Sequence, residues 1–505
     1  MKNLLILFAA LLILLHSPCI EGQEKNRNNA DGFDSGYVSI AGLWRCTPET
    51  ALHFESITLE ATINVEQKIP SDWNIQGCFM WEGRFRDYWP LSGFRFIDST
   101  QQVTFKDVDG SVYIGTYSEK EQIIYGMVYS SENDTLMPED KLDFERVADV
   151  SVERLFTPRV PDRNGSIQYS YEIPSNCKSF ECESVFRHVN DSLAFIKLMK
   201  DIINQEYGRL ESFLIMKDHK LVLEEYFFDY TENDLHDVFS CTKSVVSLLT
   251  GIALEHNDIH DMKKSLFDLF PKYMPLRTAE NENLTLQHIL TMSAGFKESE
   301  SYKYGSPDSL VSNILCLPMV SVPGEKFRYN AECPFLLGGI VYDLEDKLID
   351  QYAVEYLFNP LGIKNYIWKR SDKIPFCDTH LQLLPRDMIK IGMLVLNNGE
   401  WEGKQIVPKK WIFESTSNHI AESEYFDYGY QWWHRSDANE SWWEKSPGLK
   451  EHDMIVAVGF GGQYIFIVHD LNLVMVTTSS DYNESNGLSF EKFPMVIERV
   501  IPLFE

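Results

Sequence analysis

The stretch Phe239 to Leu254, FSCTKSVVSLLTGIAL, reads as a long apolar helix opened by a serine, with a lysine one turn further on. Side chains at i and i+3 share a helical face, so the Lys243 amine can reach the Ser240 hydroxyl. That geometry suits a serine nucleophile activated by a lysine. The same spacing recurs at Ser175 with Lys178 and at Ser489 with Lys492. Ser175 follows Pro174 in a polar, cysteine-bearing stretch that reads as loop, and Ser489 sits by Gly487 near the end of the chain. Only Ser240 joins the spacing to a helix start. Free backbone N–H groups and the positive end of the helix dipole would stabilise an oxyanion formed there. The competing reading of this segment alone is a helix capped by Ser240, with Lys243 snorkelling outward.

The chain has 505 residues, 44% of them hydrophobic, which is room for more than one domain. Its formal charge of −29 argues against a nucleic-acid surface and identifies no substrate by itself. Lys2 followed by the apolar run Leu4 to Leu15 reads as a secretory signal over residues 1–22. The run is shorter than the roughly 20 residues a membrane-spanning helix needs. Secreted or periplasmic placement follows, with a lipid anchor on Cys19 as a secondary reading. No later segment is long and apolar enough to span a bilayer. Secretion permits disulfides, and Cys46–Cys78 and Cys177–Cys182 are candidate pairs. Cysteine and histidine spacing fits no zinc site and no HExxH occurs, so no metal and no cofactor are expected.

Residues 23–40 are polar and read as a flexible lead-in. Residues 41–148 read as an all-β domain. QVTFKDVDGSVYIGTYS places Asp109-Gly110 between alternating runs, a hairpin signature, and QIIYGMVYS and KLDFERV read as further strands. A small barrel or sandwich of about 110 residues is expected. Its tryptophans, Trp44, Trp73, Trp81 and Trp89, either pack a core or line a ligand pocket. Residues 149–195 read as a linker. From 196 to 505 the pattern runs helix, a hairpin split at Lys217 to Lys220, the Ser240 helix, a helical middle, then two strands and a last helix, Phe490 to Ile501. Strands at both ends of a helical middle imply an α/β (α+β) sandwich with a helical insertion.

The order of segments adds a resemblance. LEEYFFDY precedes FSCTKS, and LTLQHILTMSAGF, PGEKFRYNAECPFLLGGIV, LLPRDMIKIGMLVLNNGEW, YGYQWW and AVGFGGQYIFIV follow in turn. Over roughly residues 200 to 500 this resembles the penicillin-recognising serine hydrolases, the superfamily of class C β-lactamases and DD-peptidases. The nearest flavour is the carboxylesterase and nylon-oligomer hydrolase branch. The resemblance implies an antiparallel sheet flanked by helices. It makes Ser240 the acylated nucleophile, Lys243 its partner and Tyr329 the tyrosine of a Tyr-x-Asn motif. Here that motif reads Tyr329-Asn330-Ala331, with the amide one place early. The Lys/His-x-Gly element of the edge strand aligns with Phe460-Gly461-Gly462, so phenylalanine replaces a cation expected to hold a substrate carboxylate. Backbone N–H groups of Ser240 and Gln463 would form the oxyanion hole. Asn330, Phe460, Gly461, Gly462 and Trp432 are candidate pocket residues. A strand bulge is the structural alternative for the glycines.

The implied function is a secreted serine hydrolase acting on a small ester or amide, with no nucleic-acid partner. Two alternatives stay open: a peptidoglycan DD-peptidase or penicillin-binding enzyme, and a decayed hydrolase fold used for binding.

Overall fold

The computed structural model describes the strands lying between residues 42 and 146, with side chains there in part and only from residue 100 on. Beyond them it describes residues 159, 169–175, 180–299, 306–371, 373–421, 426–435, 452–480 and 498–505. The expected signal segment, Cys19, the four tryptophans and the Cys46–Cys78 pair lie outside the described side chains. The chain divides into two compact units, Met1–Thr157 with Tyr482–Gly487, and Pro158–Asp481 with Leu488–Glu505.

The first unit is an antiparallel meander. Its strands are β1 (Gly42–Cys46), β2 (Leu52–Phe54), β3 (Ile57–Gln67), β4 (Ile75–Glu82), β5 (Asp87–Ile97), β6 (Gln102–Lys106), β7 (Val112–Ser118), β8 (Ile123–Glu132), β9 (Thr135–Lys141) and β10 (Phe144–Arg146). Each of β3 to β8 pairs with the next, and β1 pairs with both β10 and β3. β6 and β7 pair antiparallel with Lys106 opposite Val112, and the expected turn at Asp109-Gly110 between them lies outside the described residues. Burial alternates along β7, as one half-buried strand face requires. Gly115 and Gly126 face each other across β7 and β8, and the Tyr113 ring fills the space a Cβ would take at either. Tyr113 also stacks on Phe105 at 4.6 Å.

The second unit is built on a nine-stranded sheet. Its strands are β11 (Glu181–Cys182), β12 (Leu210–Lys217), β13 (Lys220–Tyr226), β17 (Ile420–Ala421), β18 (Phe426–Tyr428), β19 (Trp433–Arg435), β20 (Met454–Gly459), β21 (Gln463–Val468) and β22 (Leu473–Ser479). Their order is β11-β13-β12-β22-β21-β20-β19-β18-β17. A smaller sheet carries β14 (His236–Asp237), β15 (Tyr366–Trp368) and β16 (Leu381–Leu383), with β16 in the middle. The β12–β13 hairpin turns at Asp218 and His219, both at positive φ, as a two-residue loop demands. Every residue of β20, β21 and β22 is buried, so both faces of the central sheet are covered.

Four helices matter for the site: α1 (Ser192–Ile203), α2 (Cys241–His256), α3 (Glu332–Glu345) and α4 (Pro385–Leu396). α2 is buried from Cys241 to Leu254, in keeping with its apolar sequence. It packs against α3 and reaches β20, while α4 lies on β21 and β22. Gly392 of α4 makes that approach close, since a Cβ there would meet Val474 and Ile465. The stretch expected as linker contributes to this unit: β11 pairs parallel to β13, and α1 is capped by Asp191. Cys182 is disulfide-bonded; Cys177, its expected partner, lies outside the described residues. Cys241, Cys316, Cys333 and Cys377 are free. No helix among the described residues is long and apolar enough to cross a membrane.

Candidate active site

Ser240 occupies the N-cap of α2 with φ −68° and ψ −8°, and its hydroxyl makes no capping hydrogen bond. The side chain is therefore not consumed by the helix it opens. Lys243 sits one turn on and is 4% exposed, so it does not snorkel outward. Its Nζ lies 3.0 Å from Ser240 Oγ and donates to the Asp378 carbonyl at 2.7 Å. The Tyr329 ring lies against the same amine, with its centroid 4.8 Å from Nζ. Hydroxyl, amine and phenol ring thus share one locus, although they come from the start of α2 and the loop before α3.

Aromatic packing fixes the Tyr329 ring. Trp433 lies 5.9 Å away at a shallow tilt, and Tyr428 meets it edge-on at 6.4 Å. Burial pushes the Tyr428 phenol well above its usual range, so it serves as a neutral wall. Trp432, one residue before Trp433, is completely buried. Asn330 is likewise engaged in the fold. Its Oδ1 accepts the Cys333 N–H in the first turn of α3 at 2.8 Å, and its Nδ2 donates to the Arg328 carbonyl at 2.7 Å.

The Phe460-Gly461-Gly462 segment is neither on an edge strand nor a bulge. It forms the turn between β20 and β21, two strands inside the sheet, and Gly461 and Gly462 take φ of 77° and 102°. Side chains with a Cβ rarely adopt such values, which is why glycines stand there. The turn rests against the entry to α2. A Cβ on Gly459 would lie 2.3 Å from the Val238 carbonyl oxygen, and the Phe460 ring meets Phe239 edge-on at 5.7 Å. Gln463 follows, and its carbonyl accepts the Cys241 thiol at 3.4 Å. The backbone of Gln463 therefore runs beside the N-terminus of α2, where the second oxyanion donor was expected. Its side chain is tied to the Phe460 and Ser479 carbonyls. Cys241, the neighbouring thiol, is fully buried, and burial raises it far above the usual thiol range, so it is no rival nucleophile.

Three polar residues around this locus were not visible in the sequence. Asp378 supplies the carbonyl that holds Lys243. Asp237 and His380 form a buried pair at 2.9 Å. The contact joins positions 143 apart, through the pairing of β14 with β16, and no local pattern announces it.

No curated protein matches the chain. Among solved structures, similarity extends to a candidate β-lactamase from Bacteroides dorei DSM 17855, at 18% identity and TM-score 0.52, over 61% of this chain and 98% of that one. It extends also to a penicillin-binding protein homologue from Caulobacter crescentus, at 12% identity and TM-score 0.50, over 66% and 99%. A candidate 6-aminohexanoate-dimer hydrolase from Bacillus anthracis is similar at 21% identity and TM-score 0.47, over 59% and 80%. Likeness at these identities concerns the fold. The family model described as Beta-lactamase matches residues 208–488, more than half of the chain and the whole of the nine-stranded sheet except β11, and the chain belongs to that family of serine hydrolases.

Proposed function

We propose that the protein is a secreted serine hydrolase that cleaves small esters or amides through an acyl-Ser240 intermediate. The observation that carries this reading is the 3.0 Å approach of the buried Lys243 amine to a Ser240 hydroxyl that caps nothing, with Tyr329 against the same amine. Disulfide bonding at Cys182 supports an oxidising compartment.

Chemistry follows from the arrangement. Lys243 and Tyr329 act as a proton-transfer pair, and the unprotonated member takes the Ser240 proton as Oγ attacks the substrate carbonyl carbon. The Oγ–C bond forms and the π pair moves to the carbonyl oxygen. Backbone N–H groups of Ser240 and Gln463 stabilise that oxyanion. The proton then passes to the leaving alkoxide or amine as its bond to carbon breaks. Water repeats the sequence on the acyl-enzyme, giving the acid and restoring Ser240. Phenylalanine at 460, in place of a cation, favours substrates without a carboxylate near the scissile bond.

A serine-reactive fluorophosphonate with peptide mapping tests the reading. The expected adduct is on Ser240, and Ser240→Ala loses both labelling and p-nitrophenyl ester turnover. Labelling elsewhere, or full turnover by Ser240→Ala, would refute it. Acylation of Ser240 by labelled penicillin would instead move the substrate class to that of the penicillin-binding proteins.

A further inference from the structure

Two residues that carry a Cβ stand at positive φ beside the Ser240–Lys243 pair: Phe239 at 45° and His380 at 61°. Such backbone persists only where its surroundings over-determine it. Asp237 touches both places. Its Oδ1 accepts the Phe239 N–H at 2.9 Å, and its Oδ2 lies 2.9 Å from His380 Nδ1. Asp237 and His380 are each 6% exposed. Around them the two segments run antiparallel: the Val238 N–H donates to the Leu381 carbonyl at 2.8 Å, and the Leu381 N–H donates to Thr242 Oγ1 at 3.4 Å.

The bridge leads directly to both reacting side chains. Phe239 precedes Ser240, so its backbone sets where the hydroxyl enters the site. Asp378, two residues before His380, gives its carbonyl to Lys243 Nζ. We infer that Asp237 and His380 form a positioning pair, the carboxylate fixing the backbone that presents Ser240 and the imidazole fixing the segment before β16 whose carbonyl holds Lys243. This rests on the hydrolase reading above. Burial alone would raise the Asp237 carboxyl, but His380, Lys369 and the Phe239 N–H outweigh it and hold it below the usual range, so the bridge carries a carboxylate.

The test compares the full-length protein with Asp237→Ala, His380→Ala, the double variant and Asp237→Asn, which keeps an oxygen for the Phe239 N–H. At saturating fluorophosphonate, each alanine variant should acylate about thirtyfold or more slowly with little change in apparent probe affinity, and the double variant should be no slower than the worse single, as for residues acting as one unit. Asp237→Asn should recover most of the rate. Additive losses, or wild-type rates in alanine variants with lowered Tm, would make the pair an ordinary structural bridge and overturn the inference. Amide hydrogen exchange over residues 238–243 reads the constraint without chemistry, and is measured on Asp237→Asn and His380→Gln if the alanine variants do not fold. Faster exchange there in His380→Gln than in wild type is expected, and unchanged exchange in every variant would sink the proposal. If the wild type is not labelled at Ser240, the hydrolase reading fails, while exchange still decides whether the pair holds the segment.

Discussion

Lys243 and Tyr329 are separable by substitution because they are held differently. Tyr329→Phe keeps the ring against Trp433 and Tyr428 and removes only the hydroxyl. Acylation should fall by about 10²–10⁴-fold, the usual worth of a proton-transfer group, with Tm nearly unchanged. A Tyr329→Phe protein that labels at the wild-type rate would reduce the phenol to packing. Glu332 gives a second prediction. It is 1% exposed, its Oε1 accepts the Ser299 N–H at 2.6 Å, and its Oε2 has no hydrogen-bond partner among the described residues. Burial raises its carboxyl above the usual range. A raised carboxyl contributes stability that is present below its unfolded pKa and is lost as pH rises through the folded value. Glu332→Gln should therefore match the wild-type Tm in acid and exceed it towards neutrality, in thermal unfolding across roughly pH 4 to 8. At this level the sequence was legible wherever the information is local. Three-residue spacing on a helix put Ser240 beside Lys243, and segment order pointed to Tyr329. It was blind where a side chain's direction depends on a neighbour's φ. Gln431 at 63° precedes the two tryptophans, and nothing in YGYQWW says that 433 rather than 432 faces Tyr329.

The hairpin of β20 and β21 contributes to the site by how closely its turn can approach α2. Gly459→Ala would place a methyl group 2.3 Å from the Val238 carbonyl oxygen, a backbone atom that cannot rotate away. Forcing the two segments apart should cost about 1–3 kcal/mol of stability and slow acylation, because Gln463 moves with the turn. Thermal unfolding and the labelling rate check both halves, and an unchanged labelling rate would detach the hairpin from the oxyanion role. Elements with strong periodicity or turn chemistry were readable in advance: α2 from its apolar run, the β12–β13 hairpin from the polar break at Lys217 to Lys220, and the β6 and β7 strands from their alternating runs. The place of β20 within the sheet was not, since strand order depends on pairings that no single segment encodes.

Across the molecule, the sheet is closed by sequence-distant partners. Ser212 of β12 and Thr478 of β22 share a hydrogen bond at 2.7 Å across 266 positions. A chain ending at Val468 would lose β22, leaving β12 and β21 each with a bare edge and α4 without its main support. Such a truncation should give no cooperative thermal transition for this unit, measured by calorimetry. Strands at both ends of a helical middle made that closure foreseeable, whereas the small sheet of β14, β15 and β16, which carries the Asp237–His380 bridge, consists of two- and three-residue strands too short to leave a pattern. The Cys241–Gln463 contact spans 222 positions. At ribosomal rates of about 5–20 residues per second, roughly ten to forty seconds separate the birth of the helix bearing Ser240 from that of the strand beside it. Throughout that interval the first turn of α2 lacks the strand that later lies against it, so this corner of the fold is completed only late in synthesis.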